Sequence, residues 1–227
     1  MIHPAVALRH VNDVIGYGVY ATAPIPRGTV TWQLDPLDLV FTREQAARLG
    51  PIHRPVLEKY SYVDQFARFV LCWDFGRYMN HACLPNTRGV GNFEVAVRDI
   101  APGDEITCEY ATLNLSHGFR CACGHPACRG EVGPNDAVRF AARWDAEFRA
   151  AMRDFAAVPQ PLLALVHDDP VNAVALRCVR SGRFDALPSV ASVLVAHGLR
   201  SYAGLSGGAG PAAAAGAGPW ALPAVGA

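Results

Sequence analysis

Three cysteines close together, Cys121, Cys123 and Cys128, form a C-x-C-x4-C knuckle around Gly124, His125 and Pro126. Cysteines two apart do not pair comfortably with each other, but their thiolates can converge on one tetrahedral zinc at about 2.3 Å per bond. A structural zinc takes four ligands, so the fourth must be His125 or a distant cysteine. The segment has almost no apolar core of its own and would owe its fold to the metal.

Three further strings carry polar chemistry. Gly16-Tyr17-Gly18-Val19-Tyr20-Ala21 is a turn or a loop whose lack of Cβ bulk lets backbone groups approach a ligand. Arg77-Tyr78-Met79-Asn80-His81-Ala82-Cys83-Leu84-Pro85-Asn86 crowds Asn, His and Cys beside a proline turn, where each unpaired buried polar group would cost about 1 to 3 kcal/mol. Taken alone, His81 reads as a hydrogen-bonded structural residue. Glu105-Ile106-Thr107-Cys108-Glu109-Tyr110 reads as a buried strand ending on a tyrosine with a satisfied hydroxyl.

The elements that must position these residues are short strands over the first 110 residues, punctuated at Gly16 to Gly18, Pro24 to Gly28 and Ala101 to Asp104. Val19 to Ala21, Thr29 to Gln33, Phe93 to Val97 and Glu105 to Tyr110 are the strand-like runs. A helical insertion is predicted from Thr42, as cap, to about Leu57. After the knuckle, Val138, Ala141, Trp144, Phe148, Met152 and Phe155 recur at the spacing of one helix face, with Asn135 or Asp136 as cap. Asp169-Pro170 opens a second helix that Gly182 closes, and Ser189 to His197 makes a third. From Gly204 to Ala227, 19 of 24 residues are Ala, Gly or Pro, which predicts a flexible tail.

Composition narrows the function. The 227 residues carry 20 Lys plus Arg against 20 Asp plus Glu, with 51% hydrophobic residues, as expected of a globular chain. Residues 1–133 hold 12 basic and 13 acidic side chains, so no basic block marks direct nucleic-acid binding or an anionic membrane as partner. No apolar run reaches the roughly 18 residues of a membrane span and the first residues lack signal-peptide features, so the expected address is the cytoplasm, with delivery to a host cell left open. Seven cysteines, an odd number and unevenly placed, do not make a secreted disulfide scaffold. Of the basic residues 19 are Arg and only Lys59 is Lys, a bias first attributed to a GC-rich genome.

Together and in this order, G-x-G, R-[FY]-x-N-H-x-C-x-P-N, E-[LI]-x-x-[DE]-Y and C-x-C-x4-C resemble the SET-domain protein-lysine methyltransferases of bacterial type, with their post-SET cysteine segment, over about residues 5–131. The resemblance implies a mostly β fold, a β-clip in which the Glu105 to Tyr110 strand passes beneath the Arg77 to Asn86 loop as a knot-like active site. With the C-terminal helices the chain is α+β overall. It implies a SET domain at 1–118 and a post-SET zinc segment at 119–133, to which the helix spacing and the composition add a helical extension at 134–203 and a tail at 204–227. S-adenosylmethionine would be bound by Gly16, Tyr17, Gly18, Asn80, His81 and Tyr110, with Arg77 nearby. Tyr110 matches the catalytic tyrosine, and Cys83 matches the cysteine that joins Cys121, Cys123 and Cys128 on zinc, leaving His125 a bystander. The implied partner is a protein substrate bearing a lysine, drawn by a local acidic rim; the oligomeric state is open.

Departures from the family pattern refine these expectations. Ala82 stands for the usual Ser and Glu109 for the usual Asp. Cys108 occupies the position where many members have Phe or Tyr, so the extra room predicts products beyond monomethyl-lysine. No aromatic closely follows Gly130. Tyr60, Tyr62 and Trp73 are read as core rather than channel lining. Self-methylation is confined to the lone Lys59. The competing reading is a non-catalytic zinc-bearing SET module that binds a peptide or partner; a zinc-dependent nucleic-acid binder is disfavoured by charge.

Overall fold

A computed structural model describes residues 1–194. The predicted tail and the C-terminal part of the third predicted helix lie outside the described residues. The strand-rich half opens with an antiparallel pair, β1 (Val6–Asn12) and β2 (Gly16–Ala21). It continues through β3 (Val30–Gln33), β4 (Leu39–Phe41), β5 (Ser61–Val63), β6 (Phe69–Leu71), β7 (Asn80–His81), β8 (Thr87–Val90), β9 (Phe93–Ala96) and β10 (Glu105–Cys108). These form three small sheets, ordered β1-β2-β10-β7, β3-β9-β8 and β4-β6-β5. The strand-like runs read from the sequence are β2, β3, β9 and β10.

The predicted insertion is helical but broken. Thr42 and Gln45 form a reciprocal capping box that starts α1 (Arg43–Ala47). Gly50-Pro51 then interrupts it, because proline disfavours helix at the residue before it, and α2 (Arg54–Tyr60) restarts the chain towards β5.

Beyond β10, the two short strands β11 (Phe119–Arg120) and β12 (Glu131–Val132) pair across the cysteine knuckle. The helices α3 (Asp136–Arg139), α4 (Ala141–Met152), α5 (Leu163–Asp168) and α6 (Ala173–Arg180) follow. The single helix face expected from Val138 to Phe155 breaks at Phe140, where φ and ψ are −105° and 5°. Trp144, Phe148, Met152 and Phe155 are buried as that face requires, whereas Val138, before the break, is 59% exposed. Asp169 caps a 3-10 turn that leads into α6, and Gly182, at φ +67°, ends it. The sequence reading missed α5. Ser189 caps a 3-10 turn over Val190–Val193 where the third helix was expected to begin. No described helix is long and apolar enough to cross a membrane.

The helices share a core with the strands: Val30, Phe93 and Val95 pack in one cluster with Trp144, Phe148 and Val166. Two side-chain amides lock the two parts together. Gln160 accepts from Val30 N at 2.8 Å and donates to Gly28 O at 2.7 Å; Asn172 accepts from Asn92 N at 3.0 Å and donates to Gln33 Oε1 at 2.8 Å.

The pairing that matters most for the site is β7 against β10, which run parallel with Asn80 opposite Thr107 and His81 opposite Cys108. The ladder extends through a side chain: Asn86 Oδ1 accepts from Thr107 N and its Nδ2 donates to Glu105 O, each at 2.8 Å. Asn86 is buried, so truncation leaves a strand donor and a strand acceptor without partners. Asn86→Ala is therefore expected to lower stability by roughly 2 to 4 kcal/mol. Urea unfolding checks this; a midpoint unchanged from wild type would mean β10 holds its place without the amide.

Candidate active site

Two turns bring the predicted residues together. The chain leaves β10 through Glu109 into a 3-10 turn at Tyr110–Thr112, and it enters β7 from a 3-10 turn at Phe75–Tyr78 that Asp74 caps. Tyr110 lies beside His81, ring centroids 5.5 Å apart, and its hydroxyl donates to Met79 O at 3.0 Å. Burial raises the phenol pKa far above its ordinary value, with the negative potential of Cys108 and Glu105 adding to the effect, so Tyr110 is a neutral hydroxyl. His81 Nδ1 accepts from Tyr110 N at 3.3 Å, which places the ring proton on Nε2, 3.5 Å from Cys83 Sγ. Burial, and then Arg129 and Arg88, depress the imidazole to about 3, so it is uncharged.

The glycines also serve the protein's own packing. A Cβ on Gly18 would fall 2.3 Å from Glu105 Oε1 and 3.0 Å from Asn80 Nδ2, so this glycine admits neighbouring side chains of its own protein. Asn80 Nδ2 donates to Glu105 Oε1 at 2.7 Å and to Tyr17 O at 3.0 Å, tying β7 to the Gly16–Gly18 segment of β2. Gly16, at φ +84°, makes the turn. Arg77 donates to the carbonyls of Trp73 and Asp74 and lies over the Tyr78 ring.

The four cysteines Cys83, Cys121, Cys123 and Cys128 converge, with all four sulfurs within 4.8 Å of one another. Cys83 Sγ is 3.6 Å from Cys121 Sγ and 3.8 Å from Cys128 Sγ. Bonds of about 2.3 Å to the corners of a tetrahedron put sulfurs about 3.8 Å apart, so the set fits a zinc ion. Backbone amides of Arg129 and Gly130 point at Cys83 and Cys128, each at 3.3 Å, and would share the negative charge of thiolates. His125 is outside the cluster and accepts from Ala127 N within the knuckle.

Sequence reasoning missed the residue that fastens this segment to the strands. Arg129 donates to both oxygens of Glu109, at 2.9 and 2.8 Å, and Glu109 also caps Ala111 N at 3.1 Å. The guanidiniums of Arg129 and Arg88 both lie over the Trp144 ring, at 5.5 and 4.6 Å. The departure of Glu109 from the usual Asp and the Arg after Cys128 were the available signals. An aromatic does stand before the knuckle: the Phe119 ring is 5.8 Å from His81 and 6.0 Å from Tyr110.

A cavity of about 600 Å³ reaches Tyr110, bordered by Tyr60, Tyr62, Cys108 and Phe119. Tyr60 and Tyr62 therefore line this space, contrary to their reading as core, although Tyr62 also packs on Trp32. Trp73 is neither: it is 42% exposed and donates from Nε1 to Asp35 Oδ2. The rim is not strongly acidic, because Asp64 is buried and paired with Arg68 while Glu58 sits beside Lys59.

Glu94, also on the cavity wall, was not singled out in the sequence. Burial raises its carboxyl to about 7, against lowering by a hydrogen bond from Thr87 and by Arg88. Between the ordinary carboxylate range and neutrality the folded protein thus binds more protons than the unfolded chain. The stability contribution is full at acid pH and is lost as pH rises through the folded value, by about 3 kcal/mol. Glu94→Gln is expected to flatten this decline, raising thermal stability at pH 8 more than at pH 5; equal shifts at both would show that Glu94 ionises as it does in solvent.

Comparison with known proteins agrees with this geometry. The chain is 34% identical over 65 residues to a histone-lysine N-methyltransferase, H3 lysine-4 specific, of Schizosaccharomyces pombe, covering 25% of this chain and 7% of that protein. It is 40% identical over 62 residues to a variant-silencing SET domain-containing protein of Plasmodium falciparum, covering 23% and 2%. It is 33% identical over 67 residues to the histone-lysine N-methyltransferase ATX2 of Arabidopsis thaliana, covering 26% and 6%. The chain thus spans only a small part of the length of these relatives. Residues 16–111, which contain β2 through β10 and Tyr110, match the SET domain model, and this stretch is a SET domain.

Proposed function

We propose that the protein transfers methyl groups from S-adenosylmethionine to the ε-amine of lysine in a protein substrate. The observation that carries this reading is the placement of Tyr110 where the cavity meets the β7 strand, within a segment matching the SET domain. The three relatives support the substrate class, two being histone-lysine methyltransferases by name.

S-adenosylmethionine, when bound, supplies a methyl group on a sulfonium for in-line displacement by an amine. The residues proposed to hold it are Gly16, Tyr17, Gly18, Asn80, His81 and Tyr110, with Arg77 beside them. The Gly16–Gly18 segment, Asn80 and Glu105 form one hydrogen-bonded unit, so this wall is fixed before any ligand arrives. His81 is uncharged and does not repel a sulfonium. The Tyr110 proton is committed to Met79 O, which leaves the phenol oxygen as an acceptor for an amine. A phenol this strongly held protonated orients rather than deprotonates. The amine attacks as the neutral base, so a lysine that arrives as an ammonium gives up its proton before transfer. Cys108 leaves room beside that amine, so di- and trimethyl products are expected.

Labelled S-adenosylmethionine incubated with the protein and a cell lysate tests the reading. Wild type is expected to label at least one protein, and Tyr110→Phe to lose at least about 100-fold of that rate with cofactor affinity unchanged. Mass spectrometry of the labelled lysine should find more than one methyl. No labelling in any lysate would instead favour a SET module that binds a peptide without catalysis.

Zinc is the ion proposed for the four thiols, closing the cysteine segment against β7. Purified protein is expected to carry about one zinc per chain, and Cys83→Ser to lose it. Chelation should open residues 115–133 to protease while the strand core survives. Full-length zinc content in Cys83→Ser would exclude Cys83 as a ligand.

A further inference from the structure

The carboxyl of Glu94 is unusual in its surroundings. The residue is 8% exposed and borders the cavity with Tyr62 and Cys108. Opposite it on β8, Gly89 makes the room: a Cβ there would lie 2.8 Å from Glu94 Cγ. Thr87 Oγ1 donates to Glu94 Oε2 at 2.5 Å. Among the described residues no cation pairs with this carboxyl. Arg88, the nearest fixed charge, spends its guanidinium on Glu147 at 2.8 Å and lies 3.8 Å from Glu109. The other titratable groups facing Glu94 are Tyr62 from β5 and Cys108 from β10, and burial holds both neutral. An ionised Glu94 therefore has one hydroxyl and no counter-charge in a site largely removed from water, a costly state unless a guest supplies the charge.

The hydrogen bonding suits a change of protonation. Thr87 Oγ1 has one proton and two acceptors in reach, Glu94 Oε2 and Thr107 O at 3.0 Å. With Glu94 protonated, the carboxyl donates to Thr87 and Thr87 donates to Thr107 O, so every proton has an acceptor. With Glu94 ionised, Thr87 turns to the carboxylate. Both states are satisfied locally, and what separates them is charge.

We propose that Glu94 makes this cavity a cation site, in which the ammonium head of a lysine side chain serves as its counter-charge. The identity of the guest rests on the transferase reading; the cation site itself does not. Binding proceeds as the protonated carboxyl and an ammonium giving a carboxylate–ammonium pair and one proton released to solvent. A pair of this kind holds the incoming lysine in the cavity and, after transfer, the alkylammonium product, which keeps its charge at every degree of methylation. Glu94 is thus a specificity-determining residue that discriminates a cationic guest from a neutral one of the same shape.

The test uses n-butylammonium chloride and neutral n-butanol as probes, titrated into the full chain by calorimetry at pH 7. Wild type is expected to prefer the ammonium by about tenfold or more, as a charged hydrogen bond is worth, and Glu94→Gln to lose that preference while binding butanol unchanged. A preference that persists in Glu94→Gln, or none in wild type, overturns the proposal. Should the variant fail to fold, wild type alone decides. In two buffers of different protonation enthalpy, butylammonium binding should release about half a proton, since the carboxyl begins near half-protonated at that pH. Binding without proton release would count against Glu94 as the counter-charge. These titrations are separate from label transfer, so absence of labelling ends the transferase reading while the cation site stands or falls on the probes.

Discussion

A two-residue parallel pairing is the constraint from which the site follows. β7 and β10 are joined over Asn80–His81 and Thr107–Cys108 only, and parallel pairing is slightly weaker per residue than antiparallel pairing. Left to its own ladder, such a contact would not hold. It holds because β10 is fixed on its other edge by β2, where Glu105 lies opposite Tyr20 and Ile106 opposite Val19. The Asn86 amide, from the loop that follows β7, and the Thr87 hydroxyl, at the start of β8, then complete the bonding along β10. With β10 threaded this way, His81, Cys83 and Tyr110 have little freedom left. Residues about 30 positions apart in the chain become neighbours, and Tyr110 N reaches the His81 ring.

Charge organises the other face of the same pairing. Glu109 is buried, and a carboxylate taken out of water is favourable only with dense compensation. It receives a two-pronged bond from Arg129, lies 3.8 Å from Arg88 and 3.5 Å from His81, and accepts from Ala111 N. Removing one of these would leave a buried charge exposed to an apolar interior, so the cluster behaves as a unit. Its effect is to hold the cysteine segment to the turn that begins at Tyr110 through side chains as well as through thiols. The two positive groups and the neutral imidazole also set the sign of the surroundings: the His81 side has its charges balanced, whereas Glu94 has none opposite it.

What could be read in the sequence was local. The capping box at Thr42, the strands bounded by glycine and proline, the helix face of Trp144 and Phe148 and the spacing of the knuckle all follow from neighbours in the chain. The site strings were visible as strings, but their meeting point came only with the resemblance, since a parallel crossing of β7 and β10 leaves no periodicity behind. The helix break at Gly50-Pro51 was overlooked although those residues mark it, whereas the break at Phe140 has no turn residue to announce it. Gly18 was read as space for a ligand, and the fold shows that its missing Cβ also makes space for Glu105 and Asn80. Glu94 escaped notice for a physical reason. In Phe93 to Ala96 a single polar residue reads as the solvent side of a strand, and only the tertiary fold shows that all four residues are buried.

The arginine bias takes on structural content at two positions. Arg88 and Arg129 lie over Trp144 while reaching carboxylates, and Arg129 occupies both oxygens of Glu109 at once. An ammonium is a point charge with no plane to stack and no fork to match a carboxylate, so lysine at either position would forfeit one contact to make the other. A lysine there would also bring a transferable amine next to the residues proposed to hold the methyl donor. Guanidinium, always charged and poorly nucleophilic, gives the cluster its positive charge without that competing reaction. Lys59 is the exception, and it stands on the cavity side, with its ammonium 5.1 Å from the Tyr60 ring centroid. The one side-chain amine of the chain is thus placed beside the cavity, where cation–π contact with Tyr60 favours its charged, unreactive form.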